Sequence, residues 1–330
     1  MGNLSQKARV YVSLGIVLLI ILLSLSIIFY GVYQVYFAPA TLFSHDFQDA
    51  GSVEDYFEER IVNVAILGLH NRNEDNTFGD IYYVDTILIA SINFDQDNLT
   101  LLAVPRDSYV KIACSERADR IRQSYSYGYN QAGEIERHEK GMHCAIETIR
   151  NLLDGLDLHY YIAMDIQGLK QLIDSMGGVY FDVEEPMIGF TPQESLDKGP
   201  QLLDGQGYMT YLTYREPDTR DDLNRMSRQK ELLLATFKYF QEMGLFSYVV
   251  PTYSAYREHV ITDLSFNQVA ALALFAGERL ESDAIRDYSL EGEYFTIDNG
   301  KTFYLELDQE SKNEIIEKLS SVTGGEIKIG

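Results

Sequence analysis

The sequence predicts an α/β protein, a sandwich of helices and sheet preceded by one transmembrane helix. Three observations lead to this prediction. Apolar strand-like runs alternate with segments of helical spacing, short polar turns join neighbouring strands, and an uncharged run near the N-terminus is long enough to cross a bilayer. With 330 residues and 46% hydrophobic content, the chain can bury a substantial core.

The uncharged run covers residues 10–33 and is rich in Leu, Ile and Val. As a helix of about 24 residues it would be about 36 Å long, which spans a bilayer with some tilt. It continues into Tyr30, Tyr33 and Tyr36, where a signal peptide would have small residues before a cleavage site, so we interpret it as an uncleaved anchor. Lys7 and Arg9 precede the run, and the positive-inside rule therefore predicts a cytoplasmic N-terminus.

These features divide the chain into four parts. They are a cytoplasmic N-terminus (1–9), a single membrane anchor (10–36), an extracytoplasmic stalk (37–60) and a folded domain (61–330). The formal net charge is −23, which argues against nucleic acid as a partner and against adhesion to anionic lipid through charge.

In the first half of the folded domain, the sequence pattern predicts a strand, a hairpin and a helix. Residues 62–68 are a continuous apolar run that ends in Gly and precedes polar residues, which is typical of a buried strand opening into a long loop. Residues 86–93 and 99–104 are apolar runs joined by a polar turn, and they predict a β-hairpin. Residues 141–153 carry apolar side chains at helical spacing and predict an amphipathic helix.

The second half continues this alternation. Three segments in the order strand, helix, strand resemble a βαβ unit: 160–166, 168–176 and 179–183. Three more segments have helical spacing: 224–242, 266–280 and 308–319. Asn299-Gly300, between two apolar runs, gives the clearest hairpin signal in the chain.

The two cysteines, Cys114 and Cys144, both lie in the predicted extracytoplasmic part. An oxidising environment permits a disulfide there. Spacing in the sequence does not define the geometry that a disulfide requires, so paired and unpaired cysteines both stay open.

A cluster of arginines contrasts with the acidic character of the chain. Its members lie within residues 214–229: Arg215, Arg220, Arg225 and Arg228. A guanidinium binds phosphate bidentately and keeps its charge, so the cluster predicts a specific phosphate site. Arg225, Arg228 and Gln229 share one face near the start of a predicted helix, where the helix dipole also favours anions. The alternative is a capped helix with ion pairs to Asp221 and Asp222.

Charged residues also stand at the ends of the predicted hairpin strands. Asp85 precedes one strand, and Arg106 and Asp107 follow the other. The hairpin would bring Asp85 and Arg106 to the same open end. There they could bind a metal and a phosphate, or they could form a surface salt bridge worth ~0 to 1 kcal/mol.

Taken together, these motifs behind one N-terminal anchor resemble the LytR-CpsA-Psr family of cell-wall ligases over residues 61–319. The main motifs are 63–68, Asp85-Thr86, Pro105-Arg106-Asp107 and Arg225-x-x-Arg228-Gln229. The supporting motifs are Tyr125-Ser-Tyr127-Gly128, Phe181-Asp-Val after Gly177-Gly178, and Leu203-Asp-Gly205. The resemblance implies an α-β-α sandwich with a central mixed sheet.

The resemblance also implies a function. Such proteins are phosphotransferases of the Gram-positive cell membrane that move an anionic glycopolymer, of capsule or teichoic-acid type, from a polyprenyl pyrophosphate carrier onto peptidoglycan. Arg106, Arg215 and Arg225 would bind the pyrophosphate with help from Gln229. Asp85 would hold Mg²⁺, with Mn²⁺ or another divalent metal as alternatives. Arginines and a hard cation suit phosphoryl transfer because they neutralise charge on the non-bridging oxygens.

The same resemblance implies roles for further residues. Asp107 is a candidate general base, although it could equally orient Arg106. Arg220 and Arg228 are candidate substrate contacts. The family often has another arginine at the position of Thr213, and Arg220 could substitute for it.

One departure from the family concerns the metal. Where this chain has His70, the family usually has an aspartate, the second metal-binding carboxylate. Imidazole is a poor ligand for Mg²⁺ but suits softer metals. Three alternatives follow: His70 binds a different metal, Glu74 or Asp75 takes over, or metal binding is lost. His70 could also be an ordinary loop residue.

Two other classes of function therefore stay open beside the transferase. One is a degenerate family member that binds polyprenyl pyrophosphate or wall polymer in envelope regulation or assembly without turnover. The other is a surface binding or structural protein that shares only the fold.

Overall fold

The structure is a computed structural model, and it describes ten parts of the chain: residues 61–71, 82–133, 136–189, 195–214, 222–244, 257–265, 268–269, 271–272, 275–297 and 302–322. The predicted N-terminus, membrane anchor and stalk lie outside these parts. Within them, no helix combines the length and the apolar character that a membrane span requires.

The elements are named in chain order. The strands are β1 (Ile61–Asn71), β2 (Tyr82–Asn93), β3 (Asn98–Ala103), β4 (Tyr109–Lys111), β5 (Ala118–Arg120), β6 (Tyr160–Asp165), β7 (Val179–Val183), β8 (Gly199–Leu203), β9 (Val260–Thr262), β10 (Ile285–Ser289), β11 (Gly292–Thr296) and β12 (Phe303–Leu307). The α-helices are α1 (Ser124–Gln131), α2 (Arg137–Leu152), α3 (Ile166–Ser175), α4 (Gly205–Thr213), α5 (Asp222–Glu242) and α6 (Gln309–Val322).

A six-stranded sheet in the order β10-β3-β2-β1-β6-β9 forms the centre of the fold. The β1–β6 and β3–β10 pairs are parallel, whereas β1–β2, β2–β3 and β6–β9 are antiparallel. The sheet is therefore mixed, as predicted, and the predicted hairpin is β2–β3. The run predicted at 62–68 is β1, which continues through His70 to Asn71, so the prediction that a loop begins after Gly68 was wrong.

Both faces of the sheet carry a core because side chains alternate along each strand. On one face, Ala65 and Leu67 of β1 pack in a cluster with buried residues of α1, α2 and α6. On the other, Val62 and Val64 belong to a second cluster, against which partly buried residues of α5 pack. Helices thus cover both faces, which accounts for the predicted sandwich.

The predicted βαβ unit was wrong. β6 is in the central sheet, but β7 pairs antiparallel with β8 in a separate two-stranded sheet. The burial of β7 alternates, with Val179, Phe181 and Val183 buried and the residues between them exposed. A strand of a parallel sheet is usually buried on both faces, whereas strict alternation indicates a strand with one face in solvent.

The C-terminal elements largely follow the predictions. β11 and β12 form the predicted antiparallel hairpin, although its Asn-Gly turn lies outside the described residues. The helix predicted at 308–319 is α6, and the side chain of Asp308 accepts a hydrogen bond from the Ser311 N–H (2.9 Å) at its start. Of the helix predicted at 266–280, the longest described stretch is Phe275–Arg279, which forms a π-helical turn.

Cys114 and Cys144 form a disulfide, which decides the question that the sequence left open. Their Cα atoms are 5.4 Å apart. The bond joins the segment between β4 and β5 to helix α2.

Candidate active site

Asp85 lies in a β-bulge near the start of β2. Gly68 of β1 is paired with Thr86, and the next residue, Leu69, is paired with Val84, so the register skips Asp85. A bulge of this kind bends the strand and redirects a side chain. Asp85 and Thr86 both line one cavity. The sequence predicted Asp85 just before the strand, and the structure places it inside the strand.

Gly68 suits the position opposite this bulge. A Cβ atom there would lie 3.0 Å from the Cβ of Thr86, which is tighter than most real Cβ contacts. Gly68, at the end of the apolar run 62–68, therefore lets Thr86 lie close to β1 without a shift of either strand.

Arg106 follows β3, and its side chain meets Asp85 as predicted. Arg106 Nη1 lies 3.4 Å from Asp85 Oδ1. The Arg106 side chain is only 7% exposed, so the alternative of an ordinary surface salt bridge does not apply. Arg106 and Asp85 line the same cavity.

Two arginines that the sequence analysis did not identify complete the charged cluster. Arg122 Nη2 lies 2.7 Å from Asp85 Oδ1. Asp107 contacts Arg106 (Oδ2 to Nε, 3.7 Å) on one side and Arg120 (Oδ1 to Nη1, 3.8 Å) on the other. The ion pairs join five side chains of alternating charge, and three guanidiniums with two carboxylates leave one net positive charge.

Backbone hydrogen bonds fix this cluster. The N–H of Arg122 donates to the carbonyl of Arg106 (3.1 Å), and the N–H of Ile121 donates to the carbonyl of Ser108 (2.8 Å). The arginine after β3 and the arginine after β5 therefore keep one relative position. The signal in the sequence was the spacing of Arg120 and Arg122, which places two cations two residues apart beside a short strand.

Arg122 is largely enclosed by its neighbours. Its guanidinium lies 4.6 Å from the ring centroid of Tyr83, within the range of a cation–π contact. Burial lowers the pKa of Arg122 from its ordinary value, while the adjacent Asp85 carboxylate opposes that shift.

The cavity has a volume of about 220 Å³. It is lined by Gly68, Leu69, His70, Asp85, Thr86, Arg106, Met164, Asp165, Ile166, Leu169, Met209, Leu212, Thr213 and Gln229. The charged lining comes mainly from β2 and the residues after β3, whereas β6, α3 and α4 supply Met, Ile and Leu. This volume is below the ~300–1,000 Å³ of pockets that enclose drug-sized ligands, so it suits a compact headgroup with a short apolar segment.

The first turns of α5 are joined to the end of α4. Gln229, which lines the cavity, donates from Nε2 to the Leu212 carbonyl (3.1 Å). Arg228 donates from Nη2 to the Tyr214 carbonyl (3.0 Å). The observed role of both residues is structural, because they satisfy carbonyls at a helix C-terminus, and their contact with substrate stays a prediction.

The other members of the arginine cluster stay predictions. Arg215 and Arg220 lie outside the described residues. The backbone of Arg225 belongs to α5, but its side chain is outside the described part. Thr213, which stands where the family often has an arginine, lines the cavity and donates to the Met209 carbonyl (2.7 Å).

Asp165 is a further lining residue that the sequence analysis missed. Its Oδ1 accepts from the N–H of Gly168 (2.7 Å) and caps α3, and its Oδ2 lies 3.1 Å from His259 Nδ1. The carboxylate therefore fixes the start of α3, whose residues Ile166 and Leu169 line the cavity. A helix cap just after a strand was the available signal.

The residues around Asp85 do not fit Mg²⁺ well. His70 lines the cavity, and its Nδ1 has no hydrogen-bond partner among the described residues, but Mg²⁺ requires oxygen ligands in octahedral geometry. Within the described residues, no group of three or more His, Cys, Asp or Glu could hold a metal. Glu74 and Asp75 lie outside those residues. The Mg²⁺ at Asp85 stays a prediction.

Comparison with known proteins agrees with this architecture. A 256-residue stretch is 29% identical to the "Polyisoprenyl-teichoic acid--peptidoglycan teichoic acid transferase TagU" of Oceanobacillus iheyensis, covering 77% of this chain and 74% of that protein. The fold resembles B. subtilis TagV (TM-score 0.66, 20% identity, 81% of this chain and 98% of that one). It also resembles TagT bound to LIIa-WTA (TM-score 0.59, 19% identity, 80% and 91%).

A family model accounts for most of the chain. The LytR_cpsA_psr family model matches residues 43–321, which include both hairpins and all the site residues discussed above. The resemblance inferred from the motifs is therefore confirmed over most of the sequence. Because the family model matches most of the chain, this protein belongs to the LytR-CpsA-Psr family.

Proposed function

We propose that this protein is a membrane-anchored, extracytoplasmic phosphotransferase that moves an anionic glycopolymer from a polyprenyl pyrophosphate carrier onto peptidoglycan. The observation that carries the proposal is the cavity in which the Arg106 guanidinium, buried beside Asp85, lies in the same lining as an apolar wall. A polyprenyl pyrophosphate is complementary to both parts of this lining: its doubly anionic headgroup matches the guanidinium, and its hydrocarbon tail matches the apolar wall.

The relatives support the same substrate class. The Oceanobacillus iheyensis relative is named a polyisoprenyl-teichoic acid–peptidoglycan transferase, and the TagT structure contains LIIa-WTA. We propose a teichoic-acid-like or capsule polymer as the cargo of the present protein. At this level of identity, the choice between them depends on contacts outside the headgroup site.

The proposed reaction is one phosphoryl transfer. A hydroxyl oxygen of peptidoglycan attacks the phosphorus that bears the sugar, and the bond from that phosphorus to the bridging oxygen breaks. Polyprenyl phosphate leaves with the electron pair of that bond, and the hydroxyl proton passes to the leaving phosphate or to water. The product is a phosphodiester between the glycopolymer and peptidoglycan.

The arginines would lower the barrier by electrostatics. Negative charge develops on the phosphoryl oxygens and on the leaving oxygen. Guanidiniums that are already fixed in a site partly shielded from solvent need little reorganisation to stabilise this charge. Arg106 lines the cavity, and Asp107 lies between Arg106 and Arg120, which supports the orienting role of Asp107 over that of a general base. We propose Arg215, Arg220 and Arg225 as further phosphate ligands on the basis of the family motifs.

The proposed function is tested with the full-length chain in detergent. A polyprenyl-pyrophosphate-linked sugar and peptidoglycan fragments are the substrates, and the release of lipid phosphate and the attachment of glycan are both measured. We expect both products at equal rates. Release without attachment would indicate hydrolysis, and failure to bind the lipid at all would exclude the proposed function.

The replacement of the usual aspartate by His70 favours one second candidate. A family member that binds polyprenyl pyrophosphate or wall polymer without turnover would need the headgroup site but not full charge stabilisation. Tight binding of geranyl pyrophosphate, a water-soluble polyprenyl pyrophosphate, without any glycan attachment would identify this second function.

A further inference from the structure

We propose that Arg122 takes the place of a divalent cation at Asp85, so that the site binds pyrophosphate without a metal. The inference rests on the proposed function and concerns the same site. Arg122 acts here as a positioning residue, since it contacts Asp85 and Arg106, which line the cavity.

The contact to Asp85 carries the first step. Arg122 Nη2 lies 2.7 Å from Asp85 Oδ1 in an ion pair that lacks hydrogen-bond geometry, and Arg106 Nη1 approaches the same oxygen at 3.4 Å. Mg²⁺ binds carboxylate oxygens at about 2.0–2.1 Å. A divalent ion on this oxygen would therefore stand close to two guanidiniums, and both would repel it.

The charge balance carries the second step. A pair of carboxylates attracts a divalent ion, but the second position holds His70, and an imidazole brings no negative charge. The single negative charge of Asp85 is matched by Arg122, and the three guanidiniums and two carboxylates of the cluster together carry one net positive charge. A net positive cluster attracts a phosphate and repels Mg²⁺.

The rigid placement of Arg122 carries the third step. Its side chain is 16% exposed, its guanidinium lies over Tyr83, and its N–H donates to the Arg106 carbonyl. Tyr83 is in turn the cross-strand neighbour of His70 in β1–β2. Tyr83 is therefore adjacent both to His70, which replaces the metal-binding aspartate, and to Arg122.

Two measurements on the full-length wild-type chain in detergent test the inference. Electron paramagnetic resonance with Mn²⁺ reports metal binding directly, and calorimetry reports the affinity for geranyl pyrophosphate in EDTA and in Mn²⁺. We expect no bound Mn²⁺ in the absence of ligand and the same geranyl pyrophosphate affinity in both buffers. Both results are independent of turnover.

Variants then separate the charge of Arg122 from its structural role. Arg122→Gln should lose at least tenfold in geranyl pyrophosphate affinity in EDTA, whereas Arg122→Lys, which keeps the charge, should lose much less. The double variant His70→Asp with Arg122→Gln restores a carboxylate pair. It should bind Mn²⁺ and recover affinity in Mn²⁺ only. A purely structural Arg122 would give no such rescue by metal.

The outcomes distinguish this inference from the proposed function. Wild-type binding of geranyl pyrophosphate in Mn²⁺ but not in EDTA would overturn the role of Arg122 and leave the proposed function standing. Binding in neither buffer would overturn both. Unchanged affinity of a folded Arg122→Gln in EDTA would overturn the inference alone. If Arg122→Gln does not fold, the Mn²⁺ titration of the wild type decides.

Discussion

The side chains of Arg106 and Asp85 lie 3.4 Å apart across the open end of the β2–β3 hairpin, and Arg106 is almost completely buried. Two chain features produce this contact. The antiparallel register of β2 and β3 brings both segments to one end of the sheet, and the bulge makes Asp85 an extra residue in β2. The contact is therefore a property of the fold rather than of one flexible pair.

Replacing Arg106 should affect both binding and stability. Arg106→Ala leaves two carboxylates, Asp85 and Asp107, without one of their partners, and the loss of one member of a buried pair costs about 3 to 5 kcal/mol of unfolding free energy. Arg106→Lys keeps the charge but loses the fork that binds phosphate bidentately. We expect Arg106→Lys to lose most transfer with a smaller stability loss. Urea unfolding and glycan attachment measure the two effects. Equal transfer by Arg106→Lys and wild type would contradict the assigned role.

Adding one negative charge to the cavity tests whether it binds an anion. Gln229→Glu keeps the size of a lining residue but loses the amide that donates to the Leu212 carbonyl, and it should lower geranyl pyrophosphate affinity at least tenfold, about 1.4 kcal/mol, by repulsion. Gln96→Glu is the matched control. It adds the same charge in the exposed turn between β2 and β3, and it can still accept from Asn98 Nδ2. Calorimetry should show no change for the control, and equal loss in both variants would indicate a non-specific charge effect.

Local patterns predicted much of the sheet and the meeting of Asp85 with Arg106. Continuous apolar runs identified β1, β2 and β3, and the polar turn between the last two fixed their antiparallel pairing. Because both charged residues flank that hairpin, no distant contact had to be known. The prediction failed at β7, which lies outside the main sheet, because the order strand–helix–strand does not define which sheet the second strand joins.

The charged cluster was only half predictable for a related reason. Arg120 and Arg122 reach the site because their segment hydrogen-bonds to residues 106 and 108, a tertiary pairing that no local period reveals. The bulge at Asp85 likewise depends on the register between β1 and β2. His70 was assigned to a loop because polar residues follow Gly68, but pairing with Tyr83 extends the strand past them.

Gly128 should be needed for the packing of α1 on α2. A Cβ atom there would lie 2.7 Å from the Cβ of Cys144 and would also collide with the backbone of α2 at Lys140. Gly128→Ala should therefore lower the free energy of unfolding by roughly 1 to 3 kcal/mol, despite the better helix propensity of alanine. At Gly133 a Cβ would meet nothing within 4 Å, so Gly133→Ala is the control. Urea unfolding of both variants gives the comparison, and a neutral Gly128→Ala would show that α1 can move away.

The disulfide between Cys114 and Cys144 should stabilise the folded chain. Cys114 and Cys144 are separated by 30 residues, and closing a loop of that size in the unfolded chain is worth about 3 to 4 kcal/mol. We expect a reductant to lower the free energy of unfolding of the wild type by that amount, which is measured as a lower urea midpoint. The double variant Cys114→Ala with Cys144→Ala should start at the lower midpoint and be insensitive to reductant. Because the disulfide joins the β4–β5 segment, which ends in Arg120, to α2, reduction should also weaken geranyl pyrophosphate binding. A midpoint that does not change with reductant in the wild type would show that the unfolded chain gains little conformational entropy when the disulfide is reduced.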